Sequence, residues 1–186
     1  MKELKSALLL FGTMALIVGI IYPLAITGIS QVIFPNQANG EIITVNGKIV
    51  GSELIGQNFT SPRYFHGRPS AVDYNASTSG GSNYGPTNIK LIDRVNASIT
   101  EIKVEDGLPT NATIPSDSVL ASGSGLDRYI SVESADIQVP RIAKERNLNE
   151  SVIRDLINKN KEVPFPGIGQ PVVNVLKLNI ALDGIH

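Results

Sequence analysis

The chain has 186 residues, 16 basic and 17 acidic, with a formal net charge of −1 and 42% hydrophobic residues. Setting aside Lys2, Glu3 and Lys5 leaves 14 basic and 16 acidic residues, a near-balance, so charge makes no case for binding nucleic acid or anionic lipid. The absence of cysteine excludes disulfides, thiolate metal sites and cysteine nucleophiles together.

The apolar residues are concentrated near the N-terminus. No charged side chain stands between Lys5 and Glu41, and residues 7–29 (ALLLFGTMALIVGIIYPLAITGI) are almost wholly apolar. As a helix rising ~1.5 Å per residue this run is about 34 Å long, enough to cross a ~30 Å hydrocarbon core. It exceeds the ~7–15 residues of a signal-peptide core, and no Ala-x-Ala follows it. A retained membrane anchor over residues 7–29 is therefore expected, with Pro23 accommodated by a kink. Lys2 and Lys5 precede the span, and the next cation is Lys48. The positive-inside rule then puts residues 1–6 in the cytoplasm and a soluble domain, residues 36–186, outside.

Glu41 to Gly51 (EIITVNGKIVG) reads as a hairpin turning on Asn46-Gly47, a pair that favours positive φ at both turn positions. The following stretch is rich in Gly, Pro and aromatics without either period. Phe59, Tyr64 and Phe65 cluster there, which predicts ordered irregular chain rather than a loose linker. A helix is predicted from Thr87, taken as its N-cap, to about Lys103, with Ile92, Val95, Ile99 and Ile102 on one stripe. Val119-Leu120 suggests a short strand. Ser134–Asn147 reads as a helix that Pro140 should kink or break. A second helix follows, capped by Asn149, with Val152, Ile153, Leu156 and Ile157 on one face. Two such helices fit an ordinary αα-hairpin better than a DNA-binding helix-turn-helix. Leu176, Leu178, Ile180 and Leu182 alternate with more polar residues, which predicts a half-buried strand. The soluble part reads as one α+β domain.

Ser77–Asn88 (STSGGSNYGPTN) has the glycines of a phosphate cradle, but lacks the Gly-Lys-Ser/Thr ending and spacing of a P-loop. Gly-Ser-Gly-Leu-Asp-Arg and Gly-Ile-Gly-Gln-Pro-Val both lack the third glycine of a dinucleotide turn. A shaped surface loop is the better reading of these stretches. His66 has no Gly-x-Ser-x-Gly partner, and His186 is the last residue, so no hydrolase triad assembles from the sequence. No metal-ligand spacing is evident, and Asp127, Glu133 and Asp136 read as cap or solvent-face charges. Arg63, Tyr64, Phe65 and Arg68 are either anchors for a partner protein or aromatics of the domain's own core.

Four stretches follow one another in a characteristic order: GSELIGQNFTSPRYFHGRPSA (51–71), SGGSNYGPTN (79–88), ASGSGLDRYIS (121–131) and VNVLKLNIALD (173–183). With one N-terminal span, they resemble the C subunit of Kdp-type potassium-transporting ATPases over essentially the full length. Arg128-Tyr129 and Pro171-Val172 stand where that family often has Pro-His and Pro-Arg. The resemblance implies a non-catalytic accessory subunit of a potassium importer. Its implied partners are a channel-like potassium-translocating subunit, a P-type ATPase subunit and the lipid bilayer. It also implies a catalytic chaperone that raises the ATP affinity of the ATPase subunit and supports assembly. Ser122, Gly123, Ser124 and Gly125 are the nearest match to the family's nucleotide motif, yet the topology puts them outside, away from ATP. No cofactor is expected, and ATP acts only through the partner ATPase subunit. The expected partner surface comprises Arg63, Tyr64, Phe65, Arg68, Ser79, Gly80, Gly81, Asn83, Tyr84 and Asn88. A membrane-anchored extracytoplasmic hydrolase or solute-binding module is the alternative.

Overall fold

The structure is a computed structural model describing residues 2–164 and 168–185, so His186 and the Gly167 that opens Gly-Ile-Gly-Gln-Pro-Val lie outside the described residues. The chain forms two compact units, one ending at Ser52 and the other beginning at Glu53.

The first unit begins with a single apolar rod. α1 (Lys2–Leu16), a π-helical turn (Ile17–Ile21) and α2 (Tyr22–Ile33) follow without interruption. These 32 residues extend for about 48 Å, and none of their side chains is buried. Among the described residues this is the one helix long and apolar enough to cross a membrane. Where the sequence predicts a kink at Pro23, the backbone widens into the π turn just before it. The Tyr22 N–H reaches the Ile17 carbonyl, five residues back, and Thr27 Oγ1 donates to the Pro23 carbonyl at 2.8 Å.

A short helix α3 (Pro35–Ala38) leads into the antiparallel hairpin β1 (Ile42–Val45) and β2 (Lys48–Ser52). Asn46 and Gly47 both have positive φ, 50° and 77°, as a two-residue turn of right-handed twist requires.

The second unit is α+β. Its elements are α4 (Ile89–Glu105), α5 (Ser116–Val119), β3 (Tyr129–Ser131), α6 (Val132–Arg146), α7 (Glu150–Lys159), β4 (Lys161–Glu162), β5 (Val172–Asn174) and α8 (Val175–Asp183). The three strands form an antiparallel sheet in the order β3-β5-β4. Phe65, Ile130, Val139, Ile142, Ile153, Ile157, Val173, Leu178 and Leu182 meet in one buried core between this sheet, α6, α7 and α8. The α6–α7 pair is an αα-hairpin, turned by Asn147 in the left-handed conformation and restarted by the Asn149 cap.

Four expectations are corrected. Residues 175–183 are helix, not strand, because the Asn174 side chain accepts the Lys177 N–H as an N-cap. Val175, Leu178 and Leu182 then fall on one helical face, and a run this short satisfies both periods. Ser116–Val119 is a turn of helix, so Val119-Leu120 is no strand. Asn88, not Thr87, caps α4, its side chain accepting the Lys90 N–H at 2.9 Å. Pro140 does not break α6. The N–H it lacks would have bonded the Asp136 carbonyl, on the partly exposed side, while buried Val139 and Ile142 hold the helix in place.

The long irregular segment after β2 is fixed by α8. Phe65 is wholly buried, and Asn179 serves both of its backbone groups. Asn179 Oδ1 accepts the Phe65 N–H at 2.8 Å, and its Nδ2 donates to the Phe65 carbonyl at 3.0 Å. One amide thus replaces a neighbouring strand. Replacing it by an apolar residue of similar size orphans two buried groups, each worth ~1–3 kcal/mol. Asn179→Leu is therefore expected to cost about 2–6 kcal/mol in urea unfolding of the detergent-solubilised chain.

Candidate functional site

The two small-residue loops singled out in the sequence are brought together, and they interlock. The Gly80 N–H donates to the Ser124 carbonyl at 2.8 Å, and Ser79 Oγ donates to the same oxygen at 3.1 Å. Gly81 lies against Gly123, where a Cβ would stand 3.2 Å from the Gly123 carbonyl oxygen. Gly125, at φ 69°, leaves no room for a Cβ, which would come within 2.5 Å of Val72 and 2.8 Å of the Gly80 oxygen. Ser70 Oγ donates to the Gly125 carbonyl, and Ser122 Oγ accepts the Gly125 N–H. Gly81 and Gly125 thus serve close backbone approach. Asn83 and Tyr84 project from the exposed tip, and Asn88 is committed to the α4 cap.

A charged cluster backs this junction. Arg68 Nη1 donates to Asp127 Oδ2 at 2.9 Å, while Asp127 Oδ1 accepts the Tyr129 N–H. The Tyr74 hydroxyl donates to the Arg68 carbonyl. Burial, reinforced by the Asp127 carboxylate and opposed by Arg68, pushes the Tyr74 phenol from 10.0 up to about 12. Gly56 passes so close to Asp127 that a Cβ there would meet its carbonyl oxygen at 2.3 Å.

The Ser61–Arg68 segment is anchored from behind. Arg141 is 5% exposed; its Nε donates to Asp106 Oδ1 at 2.7 Å and its Nη1 to the Pro62 and Tyr64 carbonyls. Gln138 accepts the His66 N–H and donates to the His66 carbonyl. Burial pushes the Asp106 carboxyl above its ordinary value, although the hydrogen bond and charge of Arg141 pull the other way. His66 lies 3.0 Å from the Ser61 carbonyl through Nε2 and 3.5 Å from Glu105 through Nδ1, a hydrogen-bonding histidine. Tyr64 donates to Asp183, and Arg146 covers its ring at 4.9 Å while pairing with the same carboxylate at 2.7 Å.

The four residues read as partner anchors or core aromatics therefore divide. Phe65 is core, Tyr64 and Arg68 are half-buried and internally bonded, and Arg63 is exposed. A cleft of about 560 Å³ opens between α4, α6 and this segment, lined among others by His66, Arg68, Tyr74, Glu105 and Arg141. Among the described residues no group of three or more His, Asp or Glu is placed to hold a metal ion. Sequence reasoning missed Asn179, Arg141, Asp106 and Gln138. The available signal was polarity at core-facing positions of otherwise amphipathic helices. Asp127, read as a cap or solvent-face charge, does accept the Tyr129 N–H, and it also pairs with Arg68.

A family model described as "KdpC: K+-transporting ATPase, c chain" matches residues 4–184. The chain is 50% identical over 184 residues to the "Potassium-transporting ATPase KdpC subunit" of Janthinobacterium sp. (strain Marseille), covering 96% of each. It is 47% identical to the protein so named in Caldanaerobacter subterraneus subsp. tengcongensis, covering 97% of this chain and 94% of that one. The corresponding protein of Rhodopseudomonas palustris (strain BisB5) is 46% identical, with 98% and 97% covered.

Gly56→Ala and Gly125→Ala each force a backbone or side-chain displacement, expected to cost about 1–3 kcal/mol in urea unfolding. Gly123→Ala, where a Cβ meets nothing within 4 Å, is expected to be near neutral. The Tyr74 phenol holds its proton more tightly in the folded chain, so its contribution is complete below pH 10.0 and is lost as pH rises through about 12. Stability measured across that window is expected to fall, and Tyr74→Phe to flatten the fall.

Proposed function

Since the chain belongs to the KdpC family, the c chain of K+-transporting ATPases, we propose that it is a non-catalytic accessory subunit of an ATP-driven potassium importer. The rod Lys2–Ile33 anchors it in the bilayer with the N-terminus cytoplasmic, and the unit from Glu53 onward stands outside. Its partners are a channel-like potassium-translocating subunit and a P-type ATPase subunit. It supports their assembly and raises the ATP affinity of the ATPase subunit.

The observation that carries this reading is a family match running from residue 4 to residue 184. Two further features support it. The rod buries none of its apolar side chains against its own chain. The Ser122–Gly125 loop spends its small residues on the Ser79–Gly81 loop, so the effect on ATP is exerted through the ATPase subunit and not by a nucleotide held on this chain. The exposed Asn83-Tyr84 tip and Arg63 are the parts of the expected docking surface free to meet the channel-like subunit.

Mild-detergent purification through a tag on this chain is expected to recover a multispanning channel protein and a P-type ATPase. Recovery of the chain alone would overturn the accessory reading. A reporter enzyme at the C-terminus is expected to be active only outside; cytoplasmic activity would overturn the orientation. Deleting the chain is expected to raise the ATP concentration needed for half-maximal hydrolysis, and Ser124→Ala to leave it unchanged.

A further inference from the structure

The π turn in the rod leaves a backbone acceptor without its donor. The Tyr22 N–H goes to the Ile17 carbonyl, and the next residue, Pro23, has no N–H to give. Val18 therefore loses its α-register donor, Tyr22, to Ile17 and its π-register donor to Pro23. Val18 stands eleven residues beyond Ala7, or ~16 Å into the apolar run. That is close to mid-depth in a ~30 Å hydrocarbon core, where no water replaces a missing donor and an unpaired carbonyl is costly.

The chain's own hydroxyls do not repair this. Thr27 donates to the Pro23 carbonyl, and a helical Thr at position 13 reaches back toward residues 9 and 10, not forward to 18. Beside Val18 is Gly19, where a Cβ would meet nothing within 4 Å. A bare acceptor and an open approach thus coincide on a rod with no buried side chain.

We propose that the Val18 carbonyl and Gly19 form the seat for a transmembrane helix of another subunit of the ATPase. A Ser, Thr, Asn or Gln of that helix donates to the Val18 carbonyl. This rests on the membrane-spanning reading above and adds the point of contact. The occupant is another subunit because a second copy packed in parallel would bring the same donor-free Leu16–Ile21 stretch to this level. Packing through a small residue plus an interhelical hydrogen bond is the usual way helices associate in lipid.

The chain has no cysteine, so a photo-crosslinker can be placed by Gly19→Cys, with Gly28→Cys, roughly half a turn round the rod, as the comparison. In membranes holding the whole complex, the probe at 19 is expected to label another subunit several-fold more than the probe at 28. Gly19→Leu is expected to lower co-recovery of the other subunits several-fold, and Gly28→Leu to leave it unchanged. Alkaline carbonate extraction checks that each variant remains in the membrane. Labelling at 19 of lipid alone or of a second copy would overturn the proposal, as would full co-recovery of a membrane-retained Gly19→Leu chain. Release of the wild-type chain by carbonate would overturn the spanning reading and this inference with it.

Discussion

The second unit depends on buried polar side chains that stand in for absent strands. Between Glu53 and Asn88 the backbone has no regular secondary structure, so its N–H and C=O groups need partners from elsewhere. Asn179 from α8 takes both groups of Phe65, Gln138 from α6 takes both groups of His66, and Arg141 takes the carbonyls of Pro62 and Tyr64. Three side chains thereby convert a loop into a wall of the core. Phe65 follows inward, and the small-residue loops behind it acquire a fixed base.

The cost of this arrangement is concentrated in Arg141. A guanidinium removed from water needs a counter-charge and acceptors at fixed geometry. Asp106 supplies the charge from the residue following α4, while the irregular segment supplies carbonyls. The acceptors are satisfied by the same residue that needs them, so segment and ion pair hold or fail together.

Much of this was legible in the sequence where local chemistry decides the outcome. Asn46-Gly47 specifies its hairpin, Asn149 its helix, and residues 7–29 an apolar rod. The reading failed where two periods coincide, as in Val175–Asp183, where a polar side chain rather than periodicity selects helix. It also failed at Pro140, where packing on both sides outweighs the missing hydrogen bond. The Ser79–Gly81 and Ser122–Gly125 loops were legible as shaped, small-residue turns. That each is shaped against the other was not, since it takes contacts between residues more than forty positions apart. Asn179, Gln138 and Arg141 announce themselves only as polar residues on core-facing helix positions; which groups they bind was illegible, since most of their partners are backbone groups far along the chain.

The attachment of α4 is uneven. None of its seventeen residues is buried, and Ile89 at its start is 72% exposed. Its secure link is at the far end, through Asp106 to Arg141. Along the rest of its length it contributes only half-buried side chains, among them Leu91, Val95 and Ile99, and segments with few buried apolar contacts lie at the low end of local stability. The second unit thus grades from a tight body of α6, α7, α8 and the sheet to one long helix that lies on it by a half-buried face.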